Sequence, residues 1–169
     1  MTVAREPAQA AYDLGAAQIA QELNQGKNVV VLCEGDPFFY GSFMYLFSRL
    51  SDRYDTEVVA GVTSVTACAA AVQKPLSARN EVLTIIPGPI SAEDLTARIS
   101  AAQSVAIMKV GRHLAKIKQV LQDLNLLDHA VYVERATLPV QKVMPLAEVP
   151  EPAPYFSMIL VTKGNDPWL

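Results

Sequence analysis

The sequence predicts an α/β fold made of two α/β subdomains with a ligand cleft between them. Two observations carry this. Short, β-branched apolar runs alternate with longer stretches whose apolar residues recur at helical spacing, and the Pro-containing connector "KPLSARN" interrupts the alternation near its middle. With 169 residues, 51% hydrophobic and 18% charged, the chain can bury a core and is too apolar to be disordered. The expected boundaries are an N-terminal subdomain over residues 1–76 and a C-terminal one over 77–169.

The elements follow in order. In "EPAQAAYDLGAAQIAQELNQG", Tyr12, Ala16, Ile19 and Leu23 share one face, Glu6 and Pro7 suit a first turn and Gly26 suits the stop, so a helix is expected. The run Val29 to Cys33 is short and continuously apolar, which predicts a strand covered on both faces. "SFMYLFSRLSD" reads as a helix, "TEVVAG" as a second strand and "TSVTACAAAVQ" as a helix of small residues. Beyond the connector, "EVLTIIPG" reads as a strand and "SAEDLTARISAA" as a helix opened by Ser91 with Glu93 and Asp94 in its first turn. "SVAIMKV" is a strand, and "HLAKIKQVLQDLN" a helix with Leu114, Ile117, Val120, Leu121 and Leu124 on one side. "HAVYVERAT" and "YFSMILV" supply two more strands. The Pro-rich stretch between them leaves room for a hairpin arm or a short edge strand.

Charge narrows the function classes. A net charge of −3 and a pI near 5.4, with no basic run, give no electrostatic footprint for nucleic acid or a membrane surface, so a small molecule is the expected partner. No apolar run approaches the roughly 20 residues of a membrane helix, and "MTVAREPAQA" lacks the apolar core of a secretory signal. A cytoplasmic protein is expected. Cys33 and Cys68 each read as a small buried hydrophobe, with neither the number nor the spacing of a disulfide framework or metal site. His113 precedes a helix it can cap, His129 lies in a turn, and neither has a partner at ligand spacing.

Two turns carry the candidate chemistry. The first strand ends in Glu34-Gly35-Asp36-Pro37, where a flexible Gly and a φ-locked Pro shape the backbone at the carboxyl end of a sheet, the place where open α/β folds bind ligands. Asp36 can accept hydrogen bonds, Phe38, Phe39 and Tyr40 offer flat apolar walls, and Gly41 lets the chain re-enter a helix. The alternative is an ordinary turn whose aromatics plug the core, and from these residues alone it ranks first. The second strand ends in Gly61-Val62-Thr63-Ser64, where backbone N–H groups and two hydroxyls open a helix and can receive polar ligand atoms. Taken singly, Thr63 or Ser64 is simply a helix cap. Two such turns from neighbouring strands would line one crevice.

Together, "CEGDPFFYGSFMYL", "EVVAGVTSVTACAA", "AIMKVG" and "VYVERAT" resemble the tetrapyrrole methylase family over nearly the whole chain. The resemblance implies two α/β subdomains, a homodimer, and S-adenosylmethionine held between the subdomains for methyl transfer to a ring carbon of a tetrapyrrole. Carried over by position, it puts cofactor contacts at Glu34, Gly35, Asp36, Phe39, Thr63, Ser64, Met108 and Ala136. Without it, Met108 reads as a core methionine and Ala136 as a packing residue. Candidate acid–base residues are Asp36 and Tyr40, with Glu34 also suitably placed. Arg112, Lys109 and Arg79 are the candidate cations for the carboxylate-rich substrate, with solvated surface charge the plainer alternative for each. No metal is implied.

The resemblance also implies a strand and a loop of the type G-x-G-P-G-D ahead of the first motif, and this sequence contains neither. The N-terminal subdomain is therefore expected to be incomplete, one strand edge and apolar face uncovered, and activity weak or absent. Within the family, a diphthine-directed enzyme and a ribosomal RNA ribose methyltransferase share the fold, but the acidic balance and the wording of the first motif favour a corrinoid substrate, metal-free or cobalt-bearing. A non-catalytic α/β binding or dimerisation module stays open beside these.

Overall fold

The computed structural model describes residues 6–164, in two compact units over Met1–Thr63 and Ser64–Leu169. The division falls immediately before the helix of small residues, which groups with the second unit.

In the first unit, α1 (Glu6–Leu23) and α2 (Phe43–Leu50) pack together. Helical spacing puts Ala16 and Ala20 of α1 on one face, where they bury a small core with Leu50 while Ile19, Leu46 and Tyr54 seal its margin. Past the end of α1, Gly26 takes φ +76, and its N–H bonds to the carbonyl of Leu23 at 2.9 Å, so a glycine stops this helix as its sequence implies.

The two strands expected in this unit do not form. Residues 27–33 and 55–63 have no strand structure, and no backbone ladder joins them among the described residues. Val30 is 80% and Leu32 92% exposed, and Val59 is 76% exposed. Cys33, expected to be buried, is exposed as well. The physical reason is that a strand is completed by a partner: an apolar β-branched run without a ladder has neither hydrogen bonds nor a covered face.

The second unit holds one five-stranded sheet of β1 (Leu83–Pro87), β2 (Ser104–Met108), β3 (Ala130–Glu134), β4 (Lys142–Pro145) and β5 (Ser157–Thr162), in the order β1-β2-β5-β3-β4. β1 and β2 are parallel, and β5 is antiparallel to both β2 and β3. It follows that β1, β2 and β3 point the same way, with their carboxyl ends along one border of the sheet. The Pro-rich stretch supplies β4 as an antiparallel edge strand on β3, one of the two arrangements left open for it.

Two helices cover one sheet face. α4 (Ala92–Ala101) starts at Ser91, whose Oγ accepts the N–H of Asp94 at 3.0 Å, the cap its sequence predicts. α5 (Leu114–Asp123) follows a 3-10 turn at Gly111–His113. Leu95 and Ile99 of α4 and Ile117 and Leu121 of α5 are fully buried with Ile86, Ile107, Tyr132 and Ile159 of the sheet. Each such Leu or Ile stabilises the fold by roughly 1.5–3 kcal/mol relative to exposure. α3 (Ser64–Val72) lies against β3 and β5, burying Val65 and Cys68. Among the described residues, no helix is long and apolar enough to cross a membrane.

Candidate functional site

The two turns singled out in the first unit are brought together by one side chain. Asp36 Oδ1 accepts the N–H of Phe38 and Oδ2 accepts the N–H of Gly61, each at 3.0 Å. The bond from Gly61, then that from Phe38, holds the Asp36 carboxyl below its usual range. Both oxygens thus receive backbone donors, and a carboxylate stabilised in this way is a reluctant proton acceptor. The close approach needs glycine: a Cβ at Gly61 would lie 2.3 Å from the carbonyl oxygen of Gly35, which itself sits at φ +79. Gly41 has a similar role, since a Cβ there would meet the Pro37 carbonyl at 2.7 Å.

Around this joint, Glu34 is exposed, Phe39 and Thr63 are half-buried, and Ser64 is the exposed first residue of α3. The aromatics divide. Phe38 packs against Phe43 and Phe47, with ring centroids 5.7 and 5.1 Å away, so it has the packing role. Phe39 meets Tyr40 edge-on at 5.2 Å. Tyr40 is 47% exposed at φ 55, an uncommon conformation for a bulky residue.

In the second unit, Met108 closes β2 half-buried, and Ala136 lies half-buried in the turn after β3. The register places them on the same sheet border, because Met108 pairs with Met158, which pairs with Val133. Lys109 at φ 57 and exposed Arg112 follow directly after β2. Arg79 does not join them. It precedes β1, at the opposite border of the sheet. His113 occupies the position before α5 but makes no capping bond; its Nε2 accepts from Arg112 Nε at 3.5 Å. Partial burial and the cations Lys116 and Arg112 hold its pKa below the usual value.

A cluster that sequence reading missed lies on the same border. Glu134, the last residue of β3, is 7% exposed; its carboxylate accepts Tyr132 Oη at 2.9 Å and stands 3.2 Å from Lys142 Nζ and 3.4 Å from Arg135. Its nearness to Ala136 in "VYVERAT" is the one signal the sequence offered, because Lys142 arrives only through the β3–β4 pairing. Nearby, Lys116 Nζ donates to the carbonyls of Gly88 and Ile90, clamping the loop after β1. Among the described residues, no three His, Cys, Asp or Glu groups gather as metal ligands.

A two-unit α/β chain with paired loops in one unit and strand-end loops in the other corresponds to a known class. Residues 1–150 match the model of the Tetrapyrrole (Corrin/Porphyrin) Methylases, and the chain belongs to that family. It is 41% identical over 156 residues to a precorrin-2 C(20)-methyltransferase of Sinorhizobium sp, covering 92% of this chain and 64% of that protein. It is 43% identical over 155 residues to the cobalamin biosynthesis protein CobIJ of Mycobacterium bovis, covering 91% of this chain and 30% of that one. The chain therefore spans less than two thirds of the length of these relatives. Among solved structures, that of cobalt precorrin-4 methyltransferase, a cobalamin biosynthetic enzyme, superposes with a TM-score of 0.69 at 24% identity, over 87% of this chain and 69% of that one, a likeness of fold.

Proposed function

We propose that this chain is the greater part of an S-adenosylmethionine-dependent methyltransferase that methylates C20 of precorrin-2 in cobalamin biosynthesis. The observation that carries the reading is the 41% identity to a precorrin-2 C(20)-methyltransferase across 92% of the chain. The fit of the cofactor rests on the donor set: the exposed Glu34 carboxylate beside left-handed Gly35, the hydroxyls of Thr63 and Ser64, and apolar Met108 with Ala136 at a sheet border.

When bound, S-adenosylmethionine supplies a sulfonium methyl that is already electrophilic, and the meso carbon of a reduced tetrapyrrole is electron-rich. The work left to the protein is alignment, worth several orders of magnitude when the reacting atoms are held in line. In this reading Glu34 accepts hydrogen bonds from ligand hydroxyl or amino groups, the backbone at Gly35 allows close approach, and Phe39 and Met108 give apolar contact. Asp36 acts by tying the Gly35 turn to Gly61. Tyr40, exposed beside that joint, is then the better placed of the two acid–base candidates, its phenol oxygen taking the proton leaving the methylated carbon while its own proton passes to solvent. Lys109 and Arg112 at the end of β2 suit the substrate carboxylates, while Arg79 stands apart from them. A homodimer in a cytoplasmic setting belongs to the same reading, supported by the family. Because residues 29–33 have no ladder partner, the 169 residues alone are expected to turn over weakly.

Titration calorimetry with S-adenosylhomocysteine tests the reading. Micromolar binding that Asp36→Ala abolishes supports it; a chain that binds nothing behaves as a non-catalytic α/β fragment, and the reading falls. Methylation assays on precorrin-2 and on its cobalt form then decide the substrate.

A further inference from the structure

The turn that carries Ala136 is unusual in its backbone. Arg135 at φ 50 and Thr137 at φ 70 are both left-handed, and for a β-branched threonine this is an outlier. Such conformations persist only where the surroundings over-determine them, and they gather at functional sites. Arg135 N–H donates to the Phe156 carbonyl at 2.9 Å, Thr137 N–H to Gln141 Oε1 at 2.7 Å, and Leu138 N–H to the Arg135 carbonyl at 3.0 Å.

Immediately before the turn stands the buried Glu134. It shares a strand face with Tyr132, pairs across β4 with Lys142 and across β5 with Ser157. Its side chain is 9% exposed, while those of Lys142 and Arg135 are 60% and 40% exposed. The charge network is therefore lopsided: only the carboxylate has been taken out of water. A buried ion of this kind gives stability poorly, since an apolar residue of similar volume usually does as well. Orientation accounts better for its presence.

We propose that Glu134 is a positioning residue, whose carboxylate, fastened by Tyr132, Lys142 and Arg135, fixes the left-handed turn Arg135–Thr137 and with it the direction in which Ala136 presents its backbone. The inference rests on the reading above that Ala136 faces the cofactor. Burial raises the Glu134 pKa, but the bonds from Tyr132 and Lys142 outweigh it, so the carboxyl lies below its usual range and is ionised at neutral pH.

The test compares Glu134→Gln, Glu134→Asp and the unchanged 169-residue chain by amide exchange and by S-adenosylhomocysteine titration. In Glu134→Gln, the Thr137 and Leu138 amides should exchange about tenfold faster while Ile159 and Val161 stay protected, and affinity should fall about tenfold. Glu134→Asp, which keeps the charge, should hold both quantities within about threefold. The proposal is overturned if Glu134→Gln leaves turn exchange unchanged, if β5 loosens equally, or if the Asp variant falls as far as the Gln. Should the unchanged chain fail to bind S-adenosylhomocysteine, the cofactor reading falls by itself, and turn exchange alone decides the role of Glu134.

Discussion

Asp36 and the two cysteines show how one residue's chemistry is set by what surrounds it. The tie from Asp36 to Phe38 and Gly61 favours the ionised carboxylate, so its contribution is fully present above the ordinary aspartate pKa and is lost as pH falls through the lowered folded value. The thiols differ more sharply. Cys33 is exposed, whereas Cys68 is buried on α3 and its thiol is pushed up to about 11 by that burial. At pH 8, a thiol reagent should modify Cys33 within minutes and reach Cys68 only after the second unit unfolds; mass spectrometry of labelled peptides would show it. Rapid labelling of Cys68 in the folded chain would contradict this. From sequence, both cysteines looked alike, because each sits in an apolar run and burial is decided by partners far along the chain.

At the scale of elements, α1 and α2 are joined through Arg49. Its guanidinium donates to Asp13 at 2.6 Å, to Gln9 at 2.5 Å and to the Tyr45 carbonyl at 2.8 Å, and it lies over the Tyr12 ring at 5.9 Å. The Asp13 side chain is 67% exposed against 22% for Arg49, so solvent screens the ion pair and most of the effect resides in packing and in the other bonds. Arg49→Ala should destabilise the first unit by about 1–2 kcal/mol and Asp13→Ala by less than about 1 kcal/mol, read from denaturant midpoints. Equal losses would place the effect in the ion pair instead. The helices were legible in the sequence for the same local reason that they are stable: spacing, the Ser91 cap and the Gly26 stop are written within a few residues. Strands are not local. "SVAIM" and "SMILV" became neighbours in a sheet, while the equally apolar Val29–Cys33 did not, and nothing within the run itself distinguishes them. Tyr40 and Gly61 stood out through the turn chemistry around them and Met108 only through the resemblance of its motif, whereas Glu134 depended on a strand pairing that no motif announces.

Across the whole molecule, stability should be graded. β2 and β5 lie inside the sheet, with Val105, Ala106, Ile107 and Ile159 at 1% exposure or less. Hydrogen exchange should be slowest at these residues and fastest at Val30 to Leu32, with Leu50 and Ala16 between them because they belong to the smaller core. Uniform protection over both units would refute this order. On that order, the sheet border that gathers Met108, Ala136 and Glu134 adjoins the most protected strands, which suits the cofactor site proposed there.

The bare run from Val29 to Cys33 has one further consequence, and it is colloidal. Four of its residues are aliphatic, Leu32 is 92% exposed, and the nearest charges are Lys27 and Glu34 on either side. Such a segment is a template on which other chains can stack, more readily as concentration rises. A scattering or sedimentation measurement on this polypeptide at high concentration would therefore report adhesion through that run alongside any specific dimer, and dilution is what separates the two.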